Sequence, residues 1–145
     1  MIYTRLTKTA MRICFDAHKE QTDKSGLPYV FHPFHLAEQM KDEATTCVAL
    51  LHDVVEDSDM TLEGLREAGF PEEIVEAVGA MTHAPDVPYM DYVRAIKRNP
   101  IATAVKLADL RHNSDPTRLE VIDEFAERRM ERYRAAITIL TDNDN

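Results

Sequence analysis

Glycine is scarce, with four residues in 145, while Ala, Leu, Glu, Arg and Met are plentiful. That balance argues against a strand-and-turn architecture and favours helix. Cysteine is scarcer still. Two residues, Cys14 and Cys47, cannot build a disulfide-stapled scaffold. Both fall within apolar helical patterns and are expected as buried free thiols, which suits a reducing cytoplasm. No apolar run is long enough to span a bilayer, and the opening MIYTRLTKTAMRICF lacks the layout of a signal peptide. A cytoplasmic protein without a membrane partner is therefore expected. Positive charge is also short: 17 Lys and Arg face 26 Asp and Glu, a net charge of −9. This argues against nucleic-acid polymers and anionic membranes as partners, because both need a positive field. A small anionic substrate remains open, provided that a metal or a few well-placed Lys and Arg supply local cations.

What is present is ordinary for a globular chain: 44% apolar and 30% charged residues. One domain over 1–145 is expected, burying roughly 70% of its unfolded surface. Leu6, Ala10, Ile13, Cys14 and Ala17 recur at helical spacing and predict a first helix over about 4–20. The loop Asp23-Lys24-Ser25-Gly26-Leu27-Pro28 follows. His32 precedes Pro33, so it is expected to be extended, with Pro33 opening a helix to about Lys41. Further helices are predicted over 43–56, from Thr61, from Pro71, over 88–98, and from Asn99-Pro100 to about Arg111. Ile122, Ala126, Arg129, Met130, Tyr133, Ile137 and Leu140 predict a long last helix whose apolar stripe tolerates one Arg. The tail at about 141–145 is expected to be disordered. No strand is predicted.

Two of these helices carry candidate chemistry. Over 47–57, Cys47, Val48, Leu50, Leu51, Val54 and Val55 fill one arc of a helical wheel. His52, Asp53, Glu56 and Asp57 fill most of the other, with His52 over Glu56 and Asp53 over Asp57. The arc is either a solvated acidic face or a cleft wall of metal ligands and acid/base groups. The helix at 100–112 is apolar almost all round, which marks a buried helix, yet Lys106, Asp109 and Asn113 project from one side. A buried carboxylate needs a cation or several hydrogen bonds. Lys106 is one candidate partner for Asp109, and a metal is another. His32 sits at a loop-to-helix junction, from which a ligand can be aimed. His18, His83 and His112 are left outside the metal site as packing or surface residues, and His35 as an exposed one. Lys24 and Ser25 can meet a phosphate, although a solvated turn explains them as well.

In chain order these residues read His32, then His52-Asp53, then Asp109. That pattern resembles the HD-domain phosphohydrolases. More closely, the chain resembles the hydrolase domain of the SpoT/Rel family and its small stand-alone relatives, which remove pyrophosphate from the 3′ side of (p)ppGpp. The matching blocks are KSGLPYVFHP (24–33), ALLHDVVED (49–57) and VKLADLRHN (105–113). The resemblance implies an all-α HD-domain helical bundle and one divalent ion, Mn2+ in the SpoT-like branch. It implies His32, His52, Asp53 and Asp109 as ligands, and Glu56 and Asp57 as the pair that positions or deprotonates the attacking water. Lys24, Ser25 and Asn113 become candidate contacts to a nucleotide or phosphate.

The chain departs from that family at Asp23, where the SpoT-like loop commonly has an Arg that packs on the base. Ser114-Asp115-Pro116 likewise replaces Met-Arg-Thr. The expected function is a metal-dependent (pyro)phosphohydrolase of a nucleotide. The alternatives are hydrolysis of another phosphorylated metabolite, or a sensor or antitoxin that binds metal and nucleotide without turnover. Because Asp23 cannot stack or attract phosphate, Asp23→Arg is expected to lower the Michaelis constant for a guanosine substrate.

Overall fold

The computed structural model describes residues 1–142. Nine α-helices and one 3₁₀ turn account for the regular structure of the described residues, with a single isolated bridge between Thr22 and Pro28. The order is α1 (Arg5–His18), α2 (Phe31–Glu38), α3 (Glu43–Leu51), α4 (Val54–Asp57), α5 (Leu62–Glu67), α6 (Glu72–Met81), α7 (Tyr89–Ile96), α8 (Pro100–Asn113) and α9 (Glu124–Thr141). The 3₁₀ turn Pro116–Arg118 lies between α8 and α9. Thr141 closes α9, and 143–145 of the expected disordered tail lie outside the described residues.

Local chemistry starts most of these helices. Thr4, Asp42, Thr61, Asn99 and Asp123 each accept a backbone N–H of the first turn. Each such cap is worth about 1 kcal/mol. α3 is the central element. Thr46 through Leu51 are fully buried, and the helix packs against α1, α2, α6 and α8. Cys14 and Cys47 are buried and unpaired, and burial pushes both thiols up to about 12. Among the described residues no helix is long and apolar enough to cross a membrane.

Three expectations need correction. His32 is helical, because turn bonds from Phe31 N to Pro28 O (3.3 Å) and His32 N to Tyr29 O (2.9 Å) start α2 two residues before Pro33. The proline then falls in the first turn, where its missing N–H costs nothing. The helix predicted over 43–56 breaks at His52-Asp53. Asp53, at φ −109° and ψ 0°, caps a separate short α4. Finally, Ile122 lies ahead of α9 and is half exposed rather than part of its buried stripe.

A candidate metal centre and the cavity beside it

The break between α3 and α4 aims His52 and Asp53 at α2 and α8. His52 sits at the C-terminus of α3, and its Nδ1 lies 2.7 Å from the Ala49 carbonyl oxygen. A carbonyl only accepts, so Nδ1 carries a proton there. Nε2 then faces Asp53 Oδ2 at 3.1 Å and Asp109 Oδ1 at 3.6 Å. His32 enters from α2, with Nε2 2.8 Å from Asp109 Oδ1. His32, His52 and Asp109 are 3, 2 and 5% exposed, and their ligand atoms lie within 4.8 Å of one another. These three can hold a metal ion. Asp53 stands at the edge of this group, and its carboxylate accepts the Tyr29 hydroxyl.

His52 Nε2 is buried and has no well-formed hydrogen-bond partner, although two carboxylates face it. A bare lone pair pointed at two anions is repulsive, so the arrangement calls for a cation between them or a proton on Nε2. Without a metal the proton answers. Burial opposes the charged ring, but Asp53 and Asp109 outweigh it and raise the His52 pKa well above its usual value. Burial likewise opposes ionised Asp53, yet His52 brings that carboxyl down to about 2. For His32 burial prevails over Asp109, and its pKa falls. Two imidazoles and the Asp109 carboxylate, with the His52 ring fixed by the Ala49 carbonyl, fit a divalent ion as a donor set.

Asp109 is doubly served. Its Oδ2 accepts Lys106 Nζ at 3.0 Å, and its Oδ1 accepts Asn113 Nδ2 at 3.0 Å as well as meeting His32. The two readings of Asp109 are therefore not exclusive: it has a structural lysine and a place in the cluster.

His112, left outside the site on sequence grounds, belongs beside it. Its Nδ1 is 2.7 Å from His32 Nδ1, and the two rings stack nearly parallel, 5.0 Å apart. His35 also stacks on His112, with ring centroids 4.1 Å apart. The signal was present in the spacing, since His112 follows Asp109 by three residues and shares its helix face. Burial and the nearby Arg118 lower the His112 pKa to about 4, so its ring is neutral near pH 7.

Glu56 and Asp57 sit at the end of α4, both partly exposed. Glu56 accepts the backbone N–H of His83, and no hydrogen bond joins the two carboxyls among the described residues. Burial raises both pKa values. For Glu56 the His83 bond opposes the shift, and for Asp57 the charge of Asp53 adds to it. His52 and Glu56 do not stack on one continuous helix, because the break separates them.

Lys24, Ser25 and Asn113 all line one cavity of about 370 Å³ beside the cluster. Ser25 Oγ is already committed, donating to the Arg118 carbonyl at 2.6 Å. Asn113 bridges Asp109 and Arg118. Asp23, which carried the main departure from the SpoT-like loop, organises that loop instead. Its Oδ1 accepts Ser25 N at 2.9 Å and Leu27 N at 3.0 Å, and Arg118 Nη2 lies 3.8 Å from its Oδ2. Sequence reading missed Arg118 because it lies 95 residues further along and meets the loop only in the folded chain.

No family model matches the chain. It is 40% identical over 88 residues to the guanosine-3′,5′-bis(diphosphate) 3′-pyrophosphohydrolase of Vibrio cholerae, a match covering 58% of this chain and 12% of that one. It is 31% identical over 121 residues to the bifunctional (p)ppGpp synthase/hydrolase SpoT of Escherichia coli, covering 73% and 17%. A GTP pyrophosphokinase of Streptomyces coelicolor is 34% identical over 122 residues, covering 75% and 14%. The chain thus spans under one fifth of the length of these relatives. Among solved structures, a metazoan SpoT ortholog described as hydrolysing ppGpp superposes with a TM-score of 0.73 and 22% identity. That match covers 97% of this chain and 85% of the other.

Proposed function

The chain is a homologue of the SpoT/Rel proteins and folds as an all-α HD-type domain, and on that premise we propose that it is a metal-dependent pyrophosphohydrolase acting on the 3′ diphosphate of (p)ppGpp. The observation that carries this reading is the buried Nε2 of His52. It is held by its Nδ1 bond to Ala49 and aimed at Asp53 and Asp109.

In this reading His32, His52, Asp53 and Asp109 hold one divalent ion, Mn2+. When bound, the ion supplies Lewis-acid polarisation of a phosphoryl oxygen and acidifies water. The residues of the chain do the rest. Glu56 accepts the proton of the attacking water, and its raised pKa brings it nearer the working pH, which favours a general base. Asp57 supports Glu56 through its charge. Lys106 and Asn113 fix the Asp109 carboxylate, and Ala49 and His112 orient the two imidazoles. Lys24 contacts phosphate at the cavity wall, while Ser25 and Asn113 hold the loop and the end of α8 in register with it.

Water adds at the 3′-linked phosphorus as Glu56 takes its proton, the bond to the 3′ oxygen breaks, and that oxygen takes up a proton, leaving a 3′ hydroxyl and free pyrophosphate. The test is pyrophosphate release from ppGpp with Mn2+, in wild type and Glu56→Gln. The variant should lose turnover by about a hundred- to ten-thousandfold, the usual value of a general base, while keeping its metal. Release from another phosphorylated compound but not from ppGpp would replace the substrate. Metal binding without turnover on any of them would replace the enzyme with a sensor or antitoxin.

A further inference from the structure

The last residue of α1, His18, is fully buried, and its Nδ1 lies 2.8 Å from Gln21 Oε1. The Gln21 amide nitrogen donates to two carbonyl oxygens, Ala17 O at 3.1 Å and Asp57 O at 3.0 Å. Carbonyls only accept, so the Gln21 amide is fixed with Nε2 toward them and Oε1 toward His18, whose Nδ1 therefore donates. The other ring nitrogen, Nε2, is buried without a hydrogen-bond partner among the described residues. An apolar side chain would fill this place without stranding a polar atom, so the Nδ1 bond is the gain that a histidine brings.

Gln21 reaches α4 by two routes. Its side chain holds the carbonyl of Asp57, the last residue of α4. Its backbone carbonyl accepts Tyr29 N at 2.9 Å, and the Tyr29 hydroxyl donates to Asp53, the N-cap of α4. The His18 ring meets the Tyr29 ring edge-on, with centroids 4.9 Å apart. Both ends of α4 are thus bracketed from the side of α1. Four residues make a single turn, closed by the bond from Asp57 N to Asp53 O at 3.0 Å, and one turn is unfavourable unless its surroundings hold it. Glu56 lies inside the bracket, next to the residue whose carbonyl Gln21 holds.

We propose that His18 and Gln21 are positioning residues for the hydrolysis: the bracket they complete keeps Glu56 and Asp57 in a fixed place against the metal cluster. This rests on the reading of Glu56 and Asp57 as the pair that handles the attacking water. Neither His18 nor Gln21 lines the cavity that holds Lys24, Ser25 and Asn113. Loosening the bracket should therefore cost turnover and spare substrate affinity.

The experiment combines steady-state pyrophosphate release from ppGpp with amide hydrogen exchange read by mass spectrometry. Both are made on Mn2+-loaded wild type, Gln21→Leu, His18→Leu and His18→Asn. The two leucine variants should lose about ten- to a hundredfold in kcat, the scale of a misplaced catalytic group, with KM within about twofold of wild type. Exchange across α4 should quicken by a factor of about ten or more beyond any change across α3, the mark of a local opening. His18→Asn, whose amide nitrogen stands where Nδ1 does, should recover most of both losses. Equal quickening of α3 and α4 overturns the proposal, because the two residues then only support the fold. An unchanged kcat in Gln21→Leu also overturns it, as does a His18→Asn protein as impaired as His18→Leu. Failure of the hydrolase reading looks different: α4 loosens selectively in the leucine variants, but wild type releases no pyrophosphate from ppGpp.

Discussion

Lys106→Met isolates the double role of Asp109. Lys106 and Asp109 have side chains 12% and 7% exposed, with Nζ and Oδ2 3.0 Å apart. The ammonium also lies 5.3 Å from the centre of the Tyr92 ring. Methionine keeps the aliphatic stem but removes the charge that holds Asp109 well below the usual carboxylate range against the pull of burial. Asp109 Oδ1 keeps Asn113, while Oδ2 loses the one donor it has among the described residues. Breaking a buried pair by deleting one partner costs about 3–5 kcal/mol. The remaining bonds to Oδ1 argue for the lower end. For a domain of this size that corresponds to a fall of roughly 10 °C in the metal-free melting temperature. A bound divalent cation supplies the missing counter-charge, so Mn2+ should recover more stability in the variant than in wild type. The assay is thermal and urea unfolding of stripped and Mn2+-loaded protein, wild type and variant. A stripped variant as stable as stripped wild type would refute the claim that Lys106 neutralises a buried charge. Equal gains from Mn2+ in the two proteins would refute the claim that metal and lysine serve the same carboxylate.

Mn2+ at a hundredfold excess over its dissociation constant should stabilise the stripped wild type by about 2.7 kcal/mol, and Asp109→Asn should abolish the gain; a melting curve unmoved by metal in wild type speaks against the centre. Folded Glu56 has a pKa raised from its ordinary 4.5, so its contribution to stability is present below that value and lost as pH rises through the folded pKa. Glu56→Gln should therefore gain stability relative to stripped wild type as pH rises from about 4 toward neutrality; urea midpoints with a constant difference across that range contradict the shift. Asp23→Arg deletes two loop hydrogen bonds and sets a second guanidinium beside Arg118, so it should raise the Michaelis constant for ppGpp by about threefold or more, reversing the expectation from sequence; steady-state kinetics showing a lower value would restore it.

The sequence alone determined the helical class, most helix starts and three residues, His32, His52 and Asp109, that the fold brings together. Helix starts were legible because capping is local: Asn99-Pro100 and Asp123 satisfy N–H groups within three residues. These three were legible as candidates because each sits inside a short block, and because a carboxylate on a largely apolar helix called for a cation or several hydrogen bonds. Where the chain bends was not legible. The early start of α2 rests on turn bonds to Pro28 and Tyr29, and the break rests on the non-helical backbone of Asp53; helical periodicity registers neither. The joining of distant segments was not legible either. His112 against His32, and Arg118 against Asp23, are through-space contacts that exist only after α8 crosses α2 and the 3₁₀ turn meets the first loop. Asp23 shows the consequence most clearly. Read along the chain it is a lost cation, but in the folded protein it braces the loop and faces a guanidinium supplied from elsewhere. Electrostatic interaction depends on distance in space, and only the tertiary structure decides which charges are close.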